Sequence, residues 1–298
     1  MPQTAERFTK QVIRQTAADG SVKERVLAVP NEVATLMHRA VLRLLYSLDI
    51  PMPHATGAMP GKRLLDNVKP HQGNDHFYMV DLKNAFPSVD IPALKVTAAK
   101  PVIPARHQAE VQDFITNWAT TPLVPGLPLG APASPYLFNL SCLPLDRTLG
   151  SFCQQRGITY TRYLDDLTFS SRDKIGKNNR RHLRSMIEAS PGAEINHAKS
   201  RLHHLANGPV TITGVSLYPD RHVSAPPALL EKASQTFRGI GDRALNGEFV
   251  FEDEIGQLHG YFGAVEQVSD DQAMVTHRLF REYRAALGGL GIAGGGTK

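Results

Sequence analysis

Cysteine and tryptophan are almost missing from this chain, which has two cysteines, Cys142 and Cys153, and one tryptophan among 298 residues. Two thiols without ligand spacing exclude a disulfide framework or a cysteine-based metal knot, and the expectation is two reduced thiols in a cytosolic protein. No apolar run approaches the roughly 20 residues needed to cross a bilayer, and Met1 to Arg7 lack the apolar centre of a signal peptide. The expected location is therefore cytoplasmic, with no membrane partner. Internal repeats are absent. A strong charge is also lacking: the formal net charge is +5 and the pI near 9.2, which suits a polyanionic partner without proving one. The length allows one large domain, or a few subdomains, with a buried core.

Against this plain background, Asp165 and Asp166 stand out, because they interrupt a run of β-formers from Tyr160 to Ser170. Adjacent carboxylates inside an apolar strand need a counter-ion or exposure, so a tight turn beside a divalent cation suits them. Taken alone the pair also fits a solvated loop. Upstream, Phe77 to Asp81 form a short β-run ending in a third acid, followed by a turn near Pro87. Acids at the ends of two strands can converge across a sheet to hold two cations ~4 Å apart, the arrangement used in phosphoryl transfer. Between them lies a Gly/Pro-rich stretch, Pro125 to Asn139, opening into a helix at Ser134-Pro135. A helix start presents free N–H groups to an anion.

These residues resemble a reverse transcriptase of the prokaryotic retron type. Asp81 with Phe86 resembles the first palm motif, Gly126 to Asn139 the second, and Tyr163-Leu164-Asp165-Asp166 the third. Ile195 to Arg201 resembles the family's Asn-x-x-Lys-Thr-Arg segment, and Ile212-Thr213-Gly214-Val215 its Val-Thr-Gly-Leu, which leads into the primer-grip hairpin. Arg25-x-Leu27-x-x-Pro30 and Asn67-Val68-x-x-His71 resemble the finger motifs. The likeness runs from about residue 23 to 285. Leu129 departs from it, standing where relatives carry Gln, as do Leu164 and Val68, each standing where Ala is usual.

The resemblance implies an α+β right-hand polymerase: fingers, an antiparallel palm sheet of the RRM/ferredoxin-like kind, and a helical thumb. It implies fingers at 1–75 and 98–125, palm at 76–97 and 126–225, thumb at 226–287, and a disordered tail at 288–298. It implies RNA-directed DNA synthesis with two Mg²⁺ ions, Mn²⁺ being a possible substitute, held by Asp81, Leu82, Asp165 and Asp166, of which the three acids are catalytic. Arg25, Phe86, Ser134 and Lys199 would meet the deoxynucleotide. Tyr163, Asn139, Arg278 and Arg281 would meet nucleic acid. Partners so implied are a structured non-coding RNA acting as template and primer, its RNA-linked DNA product, dNTPs, and an effector protein in defence against phage.

Several of these residues have a plainer reading in the sequence itself. Phe86 can close a strand as a core ring rather than exclude a ribose 2′-hydroxyl; Arg25 and Lys199 can be solvated; Ser134 can be a helix cap. Tyr163 is acceptable as a strand aromatic, and the basic edge Arg278, Arg281, Arg284 as a solvated helix face. His203 and His204 lack a partner at ligand spacing and are read as structural.

Periodicity predicts a helix over 31–49 started by Asn31, with Val33, Leu36, Met37, Ala40, Leu44 and Leu48 on its apolar face. A proline- and glycine-rich connection follows, expected over the template. Strands are predicted near 77–82, 158–163, 166–171, 201–206 and 210–217, and helices over 134–155 and 178–189. After Pro226-Pro227 the pattern is helical, with Ser269 to Gln272 as a capping box. Rival readings are another compact defence-associated bacterial reverse transcriptase and, from a different class, an RNA-binding scaffold or antitoxin with vestigial catalysis; the three acids and Phe86 oppose the latter. A group II intron enzyme is less expected, since the chain stops after the thumb.

Overall fold

The computed structural model describes residues 7–16, 22–99, 102–246, 252–268 and 285. Contacts divide the chain into two compact units, one comprising 1–62 with 76–202, the other 63–75 with 203–298.

The first unit opens with strands β1 (Phe8–Thr16) and β2 (Val22–Pro30), paired antiparallel from Phe8↔Pro30 to Thr16↔Val22. Alternation does not announce this ribbon, because Val12, Ile13, Val22 and Val26 are all exposed and neither face is a clean apolar one. Helix α1 (Glu32–Ser47) follows at once. Its Asn31 cap works as predicted: the side-chain oxygen accepts from the Ala34 N–H at 2.9 Å. Its buried stripe, however, is Ala34, His38, Val41 and Leu45, while Val33, Leu36 and Ala40 face solvent. The apolar face is therefore rotated from the predicted one. His38 makes the rotation possible, since its ring finds backbone partners and can be buried like an apolar group.

The segment after Ile50 has no long regular element, as expected, and part of it runs beside a strand of the first unit's sheet. Arg162 N–H donates to the His54 carbonyl at 2.7 Å, and Thr56 N–H to the Arg162 carbonyl at 2.8 Å. These bonds cover the free edge of a strand, which removes an unpaired hydrogen-bonding row.

Within the second unit's share of this region lies the short helix α2 (Leu64–Val68). Back in the first unit, β3 (His76–Asp81), β4 (Thr159–Tyr163) and β5 (Asp166–Ser171) pair antiparallel. Helices α3 (Ile91–Ala99) and α4 (Ala105–Asn117), which periodicity did not single out, precede α5 (Ser134–Gln154); α6 (Lys177–Glu188) follows β5. Strand β6 (Arg201–His204) completes the order β4-β5-β3-β6, and the boundary between units falls within it. The predicted helices at 134–155 and 178–189, and the strands of the acid hairpin, agree with these to within a residue or two.

Strand alternation gives the sheet two faces. Tyr78 and Val80 oppose Phe169 and Leu167, and with Tyr160 they join one core with Leu137, Leu140, Leu183 and Ile187 of α5 and α6. Asp81, Asp166 and Tyr163 have the other parity and share the opposite face.

In the second unit, β7 (Val210–Ile212), β8 (Val215–Leu217) and β9 (Val223–Ser224) form a meander. The predicted single strand 210–217 is thus two strands. Thr213 and Gly214 both take positive φ, 47° and 80°, the conformation of a two-residue hairpin turn. Asn67, fully buried, donates to the Thr213 hydroxyl at 3.0 Å, so two motifs far apart in sequence meet here. Arg221 donates to the Asn74 carbonyl at 2.6 Å and pairs with Asp75. Burial drives the pKa of His71 down to about 3. Helices α7 (Pro227–Leu245) and α8 (Glu252–Val268) follow. The predicted capping box at Ser269 to Gln272 and the tail lie outside the described residues, as do Arg278, Arg281 and Arg284. Among the described residues no helix is long and apolar enough to cross a membrane.

Candidate active site

Asp81 ends β3 and Asp166 begins β5, and the register sets them directly opposite each other. Asp165 occupies the two-residue turn from β4, and its carbonyl accepts from the Leu82 N–H at 2.9 Å. Three acids thus converge at one end of one sheet face. Burial is the main cause that raises the pKa of Asp166, to about 6, with the charges of Asp165 and Asp81 adding to it; Lys199 and Arg201 oppose. Asp165 is raised as well, burial first, with the Asp81 charge adding, while its own backbone N–H, Lys199 and Arg25 pull it down. A site that resists holding its own negative charge is one that a cation would stabilise.

Asp81 is already engaged. Asn196 donates to Oδ1 and Lys199 Nζ to Oδ2, both at 2.9 Å, and the Asn196 N–H reaches the Asp81 carbonyl at 2.8 Å. Lys199, expected at the deoxynucleotide, here neutralises an acid. Among the described residues no group of three or more His, Cys, Asp or Glu side chains is gathered tightly enough to hold a metal as it stands. The donor set nevertheless fits a hard divalent cation, being all carboxylate, with Asp165 and Asp166 raised in proton affinity. The Leu82 side chain is buried in the core, which leaves only its backbone for such a role.

The acid turn rests on a buried polar network that sequence reasoning missed. Leu164 has φ 53°, a conformation costing a branched residue about 1–2 kcal/mol. Arg162, fully buried, donates to its carbonyl at 3.1 Å, to Asn139 Oδ1 at 2.9 Å, and twice to Asp146, at 2.6 and 2.9 Å. Tyr160 adds a 2.7 Å bond to Asp146, and Asn139 donates to the Gly57 carbonyl at 2.7 Å. A Cβ on Gly57 would lie 3.0 Å from the Tyr163 ring, so the turn is clamped from both sides. One clue was available. Arg162 falls on the core parity of β4, and Asn139 and Asp146 lie seven residues apart on one face of an apolar helix, so each charge required a buried partner.

The other predicted residues fall as follows. Asn139, expected at nucleic acid, is fully buried with its amide used internally, so it holds the turn instead. Ser134 is also buried, is the first residue of α5 rather than its cap, and its hydroxyl has no hydrogen-bond partner among the described residues. Phe86 is half-buried and stacked on Phe138, with centroids 5.1 Å apart. The backbone beside it is held by Leu127 N–H, which donates to the Phe86 carbonyl at 2.9 Å; Gly126, at φ 59°, permits this, since a Cβ there would lie 2.5 Å from the Phe86 oxygen. Arg25 is exposed on the ribbon and its charge reaches Asp165. The ribbon is tied to the second motif by the Ala28 N–H, which donates to the Leu129 carbonyl at 2.9 Å. Tyr163 lies on the acid face, half-buried. Cys142 and Cys153 are free and buried, and burial pushes the Cys153 thiol up to about 12.

Comparison with known proteins bears on this arrangement. A family model described as reverse transcriptase (RNA-dependent DNA polymerase) matches residues 16–238. The retron Mx65 reverse transcriptase of Myxococcus xanthus is 32% identical over 207 residues, 65% of this chain and 48% of that protein. The retron Ec86 reverse transcriptase of Escherichia coli is 30% identical over 178 residues, covering 59% and 53%. The chain spans about half the length of these curated relatives. Among solved structures, telomerase from Candida albicans in complex with a TWJ fragment of telomeric RNA superposes with TM-score 0.56 at 10% identity, covering 97% of this chain and 58% of that one. Apo telomerase from Candida tropicalis gives 0.51 at 13% identity, covering 76% and 50%. At such identity the likeness concerns the right-hand polymerase fold alone.

Proposed function

Because this chain belongs to the reverse transcriptase (RNA-dependent DNA polymerase) family, retron type, we propose that it copies an RNA template into DNA at Asp81, Asp165 and Asp166. The observation carrying this reading is the register that sets Asp81 opposite Asp166, with Asp165 in the adjoining turn, on the sheet face turned away from the helices.

In this reading Asp81, Asp165 and Asp166, with the Leu82 backbone, hold Mg²⁺. When bound, the metal lowers the cost of the charge that develops on the attacking and leaving oxygens. The protein's own part is placement. The Arg162 network fixes the turn that carries Asp165. Arg25 offers a guanidinium to the triphosphate from the ribbon, and Lys199 Nζ, once released from Asp81, supplies positive charge beside the departing pyrophosphate. Phe86, braced by Phe138, closes the space at the sugar 2′ position and selects deoxynucleotides.

We assign 1–75 and 98–125 to fingers, 76–97 and 126–225 to palm, and 226–287 to thumb. The template is a structured non-coding RNA that also supplies the primer hydroxyl. Its product would be RNA-linked DNA, acting with an effector protein in defence against phage. These finer assignments rest on the likeness to retron enzymes and on the meeting of the Asn67 and Thr213 motifs.

Primer extension on poly(rA) with oligo(dT) tests the central reading. The wild-type chain extends the primer only with a divalent cation present; Asp165→Asn with Asp166→Asn lowers synthesis below about a tenth while RNA binding stays within a few-fold, since removing charged ligands costs at least several kcal/mol of barrier. Extension by the double variant above that level overturns the assignment.

A further inference from the structure

Residues 172–184 contain six cations, Arg172, Lys174, Lys177, Arg180, Arg181 and Arg184, against one acid, Asp173. Their net charge of +5 equals that of the entire chain, so the remaining sequence is balanced and the basic character is concentrated in one place. Lys177, Arg180, Arg181 and Arg184 are spaced i, i+3, i+4 and i+7 on α6, which places them on one stripe of the helix. Arg172, Lys174, Lys177 and Arg181 are exposed; Arg180 and Arg184 are half-buried.

This stripe works against the helix that carries it. Like charges at i,i+4 repel, here at 177/181 and 180/184, and no acid stands in the first turn, where the helix dipole would favour one. Among the described residues none of the six makes an ion pair, and the nearby Glu188 is taken by His197 at 3.5 Å. Arg184 lies beside the Tyr78 phenol, where its charge acts on a neutral group rather than on an acid. A polyanion laid along such a face would relieve its self-repulsion.

Its position separates it from catalysis. Leu183 and Ile187 anchor α6 in the core shared with Tyr78, Val80 and Phe169, on the sheet face opposite Asp81 and Asp166. A template strand at the acids cannot also occupy this side of the sheet. We propose that the α6 stripe is a second RNA-binding surface, which holds the phosphate backbone of a folded RNA segment outside the catalytic cleft. The inference rests on the reading of the chain as an RNA-directed polymerase. Backbone contact is the mode expected, since residues 172–184 hold no Phe, Tyr or Trp and their one ring, His182, lies against Phe152.

The test uses Lys177→Gln with Arg181→Gln, both exposed positions, in the full chain. The probe is a labelled blunt RNA duplex, with binding measured across a salt series. Each lost phosphate contact lowers the slope of log K against log[salt] by about 0.9, so the slope should fall by about 2 and affinity by at least about tenfold near physiological salt. The kcat on a short oligo(rA)·oligo(dT) duplex should stay within about twofold, and the melting temperature should not fall. An unchanged slope overturns the proposal, including the case in which these cations serve an acidic protein. A parallel loss of kcat overturns it too, since the stripe would then belong to the cleft. If the wild-type chain extends no primer, the polymerase reading fails, while the salt slope still decides whether α6 holds RNA.

Discussion

Arg162 and Asp146 form a two-point ion pair, at 2.6 and 2.9 Å, wholly inside the first unit and behind the turn that carries Asp165. The guanidinium also reaches Asn139 and the Leu164 carbonyl, so a charge pair in the core sets the position of a catalytic candidate on the other face of the sheet.

Breaking that pair from one side should be costly. Arg162→Met or Asp146→Leu leaves an unpaired buried charge and is expected to lose about 3–5 kcal/mol, whereas the double substitution should recover much of it. Urea unfolding of the three variants measures this. Double-variant stability equal to the sum of the single losses would show that the two residues are not coupled.

In the proposed reading Lys199, paired with Asp81 at 2.9 Å, would compete with a metal for that carboxylate. Its side chain is about half exposed, so the pair is worth no more than about 1 kcal/mol. Lys199→Met should therefore lower by roughly fivefold the Mg²⁺ concentration needed for a given rise in melting temperature. A Mg²⁺ titration followed by thermal melting reads it without any turnover. An unchanged or raised concentration would mean that Lys199 does not occlude the site.

Phe86 stacks on Phe138 at 5.1 Å and is only half-buried. Phe86→Val removes the ring and should shift selection toward ribonucleotides by roughly 1–3 kcal/mol, or about 10- to 200-fold. The readout is the ratio of rNTP to dNTP incorporation. A lower melting temperature with no change in that ratio would make Phe86 a packing residue.

His38 ties acid stability to the second motif. Ala133 N–H donates to Nδ1 at 3.4 Å, so the neutral ring donates from Nε2 to the Trp118 carbonyl at 3.0 Å. Burial, the dominant cause, lowers its pKa to about 4 from the ordinary 6.5. The folded state then binds fewer protons than the unfolded one between these values. The His38 contribution should be full above pH 6.5, decline as pH falls toward 4, and amount to roughly 3 kcal/mol. His38→Gln, which keeps one polar contact without titrating, should flatten that part of the stability–pH curve. Identical curves would place the acid sensitivity elsewhere.

Much of the candidate site was legible because local chemistry demanded it. Acids inside a β-run require a turn and a counter-ion, Asn31 before an amphipathic stretch requires a helix start, and Thr213-Gly214 permits a hairpin; such requirements are met within a few residues, so periodicity and residue type reveal them. Asp81, Asp165 and Asp166 could accordingly be named together from sequence. Their register could not, because strand pairing is a contact across some eighty residues that no local pattern encodes. The same holds for the exchange of Asn139 from nucleic-acid contact to support of the turn, for the capture of Asp81 by Lys199 and Asn196, and for the rotation of α1 around His38. In each case a polar side chain met its partner only after the chain had folded, and burial then made that partnership obligatory. The basic stripe of α6 shows the same division. Its charges and their spacing are in the sequence, but only the tertiary structure decided that they lie across the sheet from the acids, because the parity of β3 sends Tyr78 to the helices and Asp81 to the opposite face.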